Sequence, residues 1–140
     1  MAGLNKTETK LIYACSGAAD VGEIADRVAR KLRSEGAAKM TCLAGIGAGL
    51  SAYVKSAKDA DVNIAIDGCP VACAKNTLAK IGVTPTSYIL TDMGLIKGET
   101  PVTEKIIKQL ADKIKNTQDA TEKQAQIGTC GCSCGSTSKG

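Results

Sequence analysis

Short apolar runs alternate with longer amphipathic stretches along this chain, and no other feature restricts its fold as tightly. The runs Lys10 to Cys15, Lys39 to Leu43, Val62 to Ile66 and Ser87 to Thr91 are bounded by polar residues or glycine, which predicts strands. The first intervening stretch, Asp20 to Glu35, repeats apolar residues at helical spacing: Val21, Ile24, Ala25, Val28, Ala29 and Leu32. Asp20 with Glu23 resembles a capping pair, and Gly36 is a natural stop. A second helix is predicted from Ala48 to Lys58. A third begins at Pro70, a residue suited to the first helical position, and ends near Gly82. A fourth runs from Val102 to Asn116, with Ile106, Ile107, Leu110, Ala111 and Ile114 on one face. Four rounds of strand then helix predict a small doubly wound α/β fold. It has about four parallel strands in order 2-1-3-4, helices on both faces and a switch point between the first and third strands.

The 140 residues are 44% apolar, enough for one domain, expected over residues 8–116. With no Phe, no Trp and three tyrosines, the core must be filled by Ala, Ile, Val and Leu. After Asn116 the chain turns polar and rich in Ser, Thr and Gly, so residues 117–140 are expected to form a flexible tail. No apolar run reaches the length of a membrane span, and the run at Lys10 is too short for a secretory leader. These features place the protein in the cytoplasm, away from membranes. The +4 charge is spread over the chain, and Lys105, Lys108, Lys113 and Lys115 read as a solvated helix face. A dense basic stripe with stacking aromatics is absent from the sequence, so nucleic acid is not an expected partner.

The chain has no histidine, which excludes Ser-His-Asp and Cys-His nucleophiles and imidazole metal ligands. It has seven cysteines, an odd number, which in a reducing compartment points to metal or redox chemistry. Cys15, Cys42 and Cys69 are each 27 residues apart, one strand-helix unit, and each falls at or just after a predicted strand end. A parallel sheet brings all such ends to one edge, the edge where doubly wound folds bind ligands. Cys73 follows Cys69 by one helical turn. Placed at the N-cap and in the first turn of a helix, the two would face the positive end of its dipole, which favours thiolate. A single cysteine of this kind would read as a small buried hydrophobe. Four at one edge predict thiolate ligation of a metal ion, with zinc suited to a tetrahedral four-sulfur shell.

Other motifs are less telling. Asp67 reads equally as an acceptor supporting the metal ligands and as a cap for free helix amides. Lys75 lies near the expected site but reads best as solvated. Gly45, Gly47 and Gly49 fail the dinucleotide fingerprint, because position 50 is Leu where a glycine is needed.

The segment IDGCPVACAKN at 66–76, with IYACSGAADVGEIADRVARKL and CLAGIGAG before it, resembles the signature of the DGC-domain family. The resemblance covers roughly residues 10–116. It implies zinc binding through four cysteines, which match Cys15, Cys42, Cys69 and Cys73, while Asp67 and Gly68 complete the namesake triplet. It implies no reaction, and no catalytic set is visible. The metal can therefore be structural or handled as cargo. Two other readings stay open: a redox or sulfur-transfer protein with Cys69 or Cys73 as working thiolate, and an iron-sulfur cluster carrier. Cys130, Cys132 and Cys134 alternate in the tail, where they can bind a soft metal, exchange thiols with a protein partner, or swing to the sheet edge.

Overall fold

The computed structural model describes residues 7–127. Four strands, β1 (Lys10–Ala14), β2 (Lys39–Met40), β3 (Val62–Asp67) and β4 (Thr86–Ile89), form an all-parallel sheet in the order β2-β1-β3-β4. The architecture and strand order match the expectation from the alternating pattern. Helices α1 (Asp20–Ser34) and α5 (Glu104–Ile127) cover one face. The other face carries α2 (Leu43–Gly47), α3 (Ser51–Asp59) and α4 (Cys73–Lys80).

Residue alternation divides the central strands between two cores. Ile12, Ala14, Ile64 and Ile66 face α1 and α5, whereas Leu11, Tyr13 and Ala65 face the opposite layer. Ala25, Ala29 and Ala111 fill the first core beside Ile24, Leu32 and Ile114, and these small side chains let α1 and α5 approach closely. Each fully buried Ile or Leu contributes about 1.5–3 kcal/mol. In the second core the Tyr13 hydroxyl donates to Asn63 Oδ1 at 3.0 Å, and Asn63 Nδ2 donates to the Ala57 carbonyl at 2.8 Å. This satisfies both buried polar groups. Burial pushes the Tyr13 phenol up to about 12.

Several element boundaries differ from expectation; β2, expected to reach Leu43, ends at Met40 because Leu43 already starts α2, and β4 ends at Ile89, not Thr91. The helix expected from Ala48 to Lys58 is α3, which begins only at Ser51; the short α2 before it was not expected, and Gly49, whose φ of 70° is open to glycine, lies in the break between them. The helix expected from Pro70 begins instead at Cys73, because Cys69–Ala72 closes a turn (Ala72 N–H to the Cys69 carbonyl, 3.0 Å) and Ala72 is left-handed at φ 52°. Asp20 does not form a capping box with Glu23. The N-cap of α1 is Ala19, and the Asp20 carboxylate is turned to other donors.

The last helix differs too. Expected to end near Asn116, it runs on to Ile127. The extension is held by polar contacts that hydrophobic periodicity does not register. Gln118 Nε2 donates to the Tyr88 hydroxyl at 2.6 Å, and Glu122 pairs with Lys10 at the amino end of β1. Cys130, Cys132 and Cys134 lie outside the described residues.

Candidate functional site

The parallel register fixes where each cysteine emerges. Ala14 is level with Ile66, the Cys15 N–H donates to the Ile66 carbonyl, and the Thr41 N–H donates to the Ile12 carbonyl. Cys15 therefore leaves β1, and Cys42 follows β2, at the same carboxyl edge where β3 delivers Cys69 and Cys73. Cys15 and Cys69 are half-buried, Cys42 and Cys73 are exposed, and all four are free thiols. Cys73 is the first residue of α4, but Cys69 lies in the preceding turn. The expected placement of Cys69 at the helix N-cap, with Cys73 one helical turn on, is thus corrected: the left-handed Ala72 separates them.

The Asp67-Gly68-Cys69 triplet organises this edge. Asp67 is fully buried, and its two carboxylate oxygens accept the N–H groups of Ala74 (2.7 Å) and Lys75 (3.1 Å). Of its two expected roles, the structure shows the cap: Asp67 satisfies free amides at the start of α4 and complements its dipole. Gly68 lies against the first turn of α1. A Cβ there would come within 2.7 Å of the Val21 carbonyl carbon and oxygen, so any larger residue would drive the two segments apart. The Gly68 N–H donates to Cys15 Sγ at 3.4 Å, which links β3 to the sulfur at the end of β1.

A cation also reaches the edge. The Asp20 carboxylate accepts the N–H groups of Val21, Gly98 and Thr100 at 2.8–3.0 Å, clamping the loop after β4. The Gly98 N–H above all holds the Asp20 carboxyl below its ordinary value; desolvation opposes it, and the Val21 and Thr100 N–H groups reinforce it. The clamped loop carries Lys97, whose Nζ lies 3.8 Å from Cys69 Sγ. Sequence reasoning missed Lys97. It considered Lys75, whose backbone N–H serves Asp67, and no spacing rule ties a lysine in the last loop to Cys69.

Beyond the short β2 the edge opens into a cleft of about 830 Å³ lined by both Cys15 and Cys42. Asp26, Arg30 and Arg33 of α1 form one wall, and Tyr53 and Thr77 lie on the other side. Asp26 accepts Arg30 Nε at 2.6 Å and the Ser16 hydroxyl at 2.9 Å. Burial pushes its carboxyl up, but the hydrogen bonds from Arg30 and Ser16 and the charges of Arg30 and Arg27 outweigh this, and the net shift is downward. Gly45, the first glycine of the GIG segment, has its Cβ direction filled by the Tyr53 ring at 2.7 Å. The segment forms the short helix α2, on which Tyr53 rests.

By chemistry, cysteine sulfurs are donors of the type zinc takes. By position, two sulfurs share a cleft, and among the described residues no three Cys, Asp or Glu side chains are grouped to hold an ion.

Fold and edge together define a doubly wound α/β protein with a cysteine-bearing carboxyl edge. The chain belongs to the DGC-domain family, whose model matches residues 11–114 and so contains all four cysteines. It is 39% identical over 88 residues to the Anaerobic and virulence modulator AnvM of Pseudomonas aeruginosa, an alignment covering 62% of this chain and 67% of AnvM. AnvM carries the same domain. No solved structure matches the chain. Among the described residues, no helix is long and apolar enough to cross a membrane.

Proposed function

We propose that this protein binds zinc through Cys15, Cys42, Cys69 and Cys73 and handles it as cargo in the cytoplasm. The observation carrying this reading is the arrival of four free sulfurs at one end of a parallel sheet. Zinc takes four thiolates in a closed tetrahedral shell. Exposure of Cys42 and Cys73 supports a metal that is loaded and released, as do two apolar cores that close without either residue. Four-sulfur ligation then requires the Cys69–Cys73 segment and the turn at Cys42 to close on Cys15. The test is elemental analysis of the full chain purified without added metal. We expect about one zinc per chain, lowered in Cys69→Ser and Cys73→Ser variants together with stability. Full metal content in the Cys69→Ser, Cys73→Ser double variant would overturn the assignment, and brown protein containing iron would assign the edge to an iron-sulfur cluster instead.

One contact favours a second reading, thiol redox or sulfur-transfer chemistry at Cys69. Lys97 Nζ, 3.8 Å from that sulfur, places a positive charge where an attacking or departing sulfur would carry its negative one. On this reading Cys69 is alkylated faster than the more exposed Cys73, and Lys97→Met removes the difference. Equal rates in the wild-type chain would rule it out.

A further inference from the structure

The Cys69–Cys73 segment is marked out twice. Ala72 and Ser16 are the only non-glycine residues with positive φ among the described residues, and Ala72 is buried and adjoins Cys73. Its φ of 52° and ψ of 51° crowd an L side chain, and backbone held in such a conformation gathers at functional segments. The turn it closes, from the Ala72 N–H to the Cys69 carbonyl at 3.0 Å, doubles the chain back between the two cysteines. The second mark is exposure. Val71 at 62% and Ile96 at 59% are the most exposed large hydrophobics among the described residues, and neither core uses them. Val71 lies in the turn itself. Ile96 precedes Lys97, whose Nζ is 3.8 Å from Cys69 Sγ. Two apolar residues and a cation thus border one half-buried sulfur, with a second, exposed sulfur four positions on.

We infer that Cys69 and Cys73 act as a dithiol on a disulfide carried by a polypeptide, and that Val71 and Ile96 seat the apolar residues around that disulfide. The inference rests on the thiol reading of Cys69 and deepens it by naming the substrate class and the second thiol. The Cys69 sulfur, as thiolate, attacks one sulfur of the substrate disulfide. A bond forms between them, the substrate S–S bond breaks, and the other substrate sulfur leaves as a thiolate whose charge meets Lys97. The Cys73 thiolate then attacks Cys69 Sγ, the mixed disulfide breaks, and the second substrate sulfur leaves. The two protons lost by the protein thiols go to the two departing thiolates. The protein dithiol is oxidised by two electrons to a Cys69–Cys73 disulfide, and the substrate disulfide, the oxidant, is reduced to two thiols. Val71 and Ile96 are specificity-determining residues and take no part in the exchange itself.

The probe is a synthetic peptide pair joined by one disulfide, with leucine on both sides of each cysteine; a second pair carries serine in those places, and glutathione disulfide is the small-molecule control. The reduced full-length chain is mixed with each, free thiols are trapped by alkylation, and peptide mapping by mass spectrometry locates every new bond. Wild type should yield a Cys69–Cys73 disulfide and free peptide thiols. Cys73→Ser should accumulate the mixed disulfide at Cys69, and Cys69→Ser should yield neither product. The Val71→Ser, Ile96→Ser double variant changes only exposed side chains and should fold as wild type. It should react about tenfold more slowly with the leucine pair, the effect of losing a modest apolar contact area, and at the wild-type rate with the serine pair and with glutathione disulfide. A mixed disulfide that persists at Cys69 of the wild-type chain with no bond to Cys73 would overturn the inference while the thiol reading stands. So would a leucine pair that reacts no faster than the serine pair, or a rate indifferent to Val71 and Ile96. Cys69 left unmodified by all three disulfides would overturn the thiol reading itself.

Discussion

Replacing Gly68 by Ala adds a single methyl group at the place where the sheet edge meets α1. The new Cβ would lie 2.7 Å from the Val21 carbonyl carbon and oxygen and 2.8 Å from the Gly22 nitrogen. Comfortable carbon contacts begin at about 3.5 Å. The obstructing atoms are backbone in the first turn of a helix, so no side chain can rotate away. Overpacking of this kind costs about 1–3 kcal/mol, and the stiffer unfolded chain of alanine offsets about 0.4–1 kcal/mol. The net loss should be about 1–2 kcal/mol, a fall in Tm of roughly 4–10 °C for a domain of this size. The Gly68 N–H to Cys15 Sγ contact should lengthen as the segments part, so Cys15 should become more accessible to alkylation. Urea denaturation gives the stability, and mass-resolved alkylation reports on Cys15. Gly17→Ala is the control, because a Cβ there meets nothing within 4 Å. If Gly68→Ala matches wild type in both assays, the close approach is not what demands glycine in the triplet.

Asp67→Ala should cost about 2–3 kcal/mol by chemical denaturation, because two helix amides lose a buried carboxylate acceptor, and Asp67→Asn should recover part of this. The raised phenol of Tyr13 makes stability depend on alkaline pH. The folded state keeps its proton to about 12, whereas the unfolded chain loses it from the ordinary value of 10.0. The associated stability is therefore complete below pH 10.0 and is lost as pH rises toward 12; denaturation curves should flatten over this window in Tyr13→Phe. A chain ending at Ile127 should melt like the full-length protein and release zinc more slowly to a chelator. An unchanged release rate would remove any role for Cys130, Cys132 and Cys134 in metal exchange.

Sheet order and the gathering of cysteines at one edge were legible because both follow from periodicity. A change of period from helix to strand marks each unit, and parallel strands carry their ends to a common side. What periodicity cannot register is a contact made by polar atoms between distant segments. The Asp20 clamp spans 78–80 positions to Gly98 and Thr100, and it holds the loop that sets Lys97 over Cys69. The start of α4 was misplaced for a related reason. Pro70 suits the first position of a helix and also the second position of a turn, and the choice was made by Asp67, which captures the amides of Ala74 and Lys75 and so fixes the helix start at Cys73. The cleft was illegible because it depends on how few residues of β2 pair.

The run of α5 past Asn116 carries the end of that helix along the full length of the sheet. Gln118 meets Tyr88, which is level with Ile66 in the carboxyl half of the sheet, and Glu122 meets Lys10 at its amino end. The helix thus travels away from the cysteine edge, and its five further residues carry Ile127 about 7 Å beyond Glu122. β1 alone, five residues long, spans about 17 Å. A ligand that met both ends of α5 would therefore read the whole length of β1, from Lys10 to the carboxyl half of the sheet.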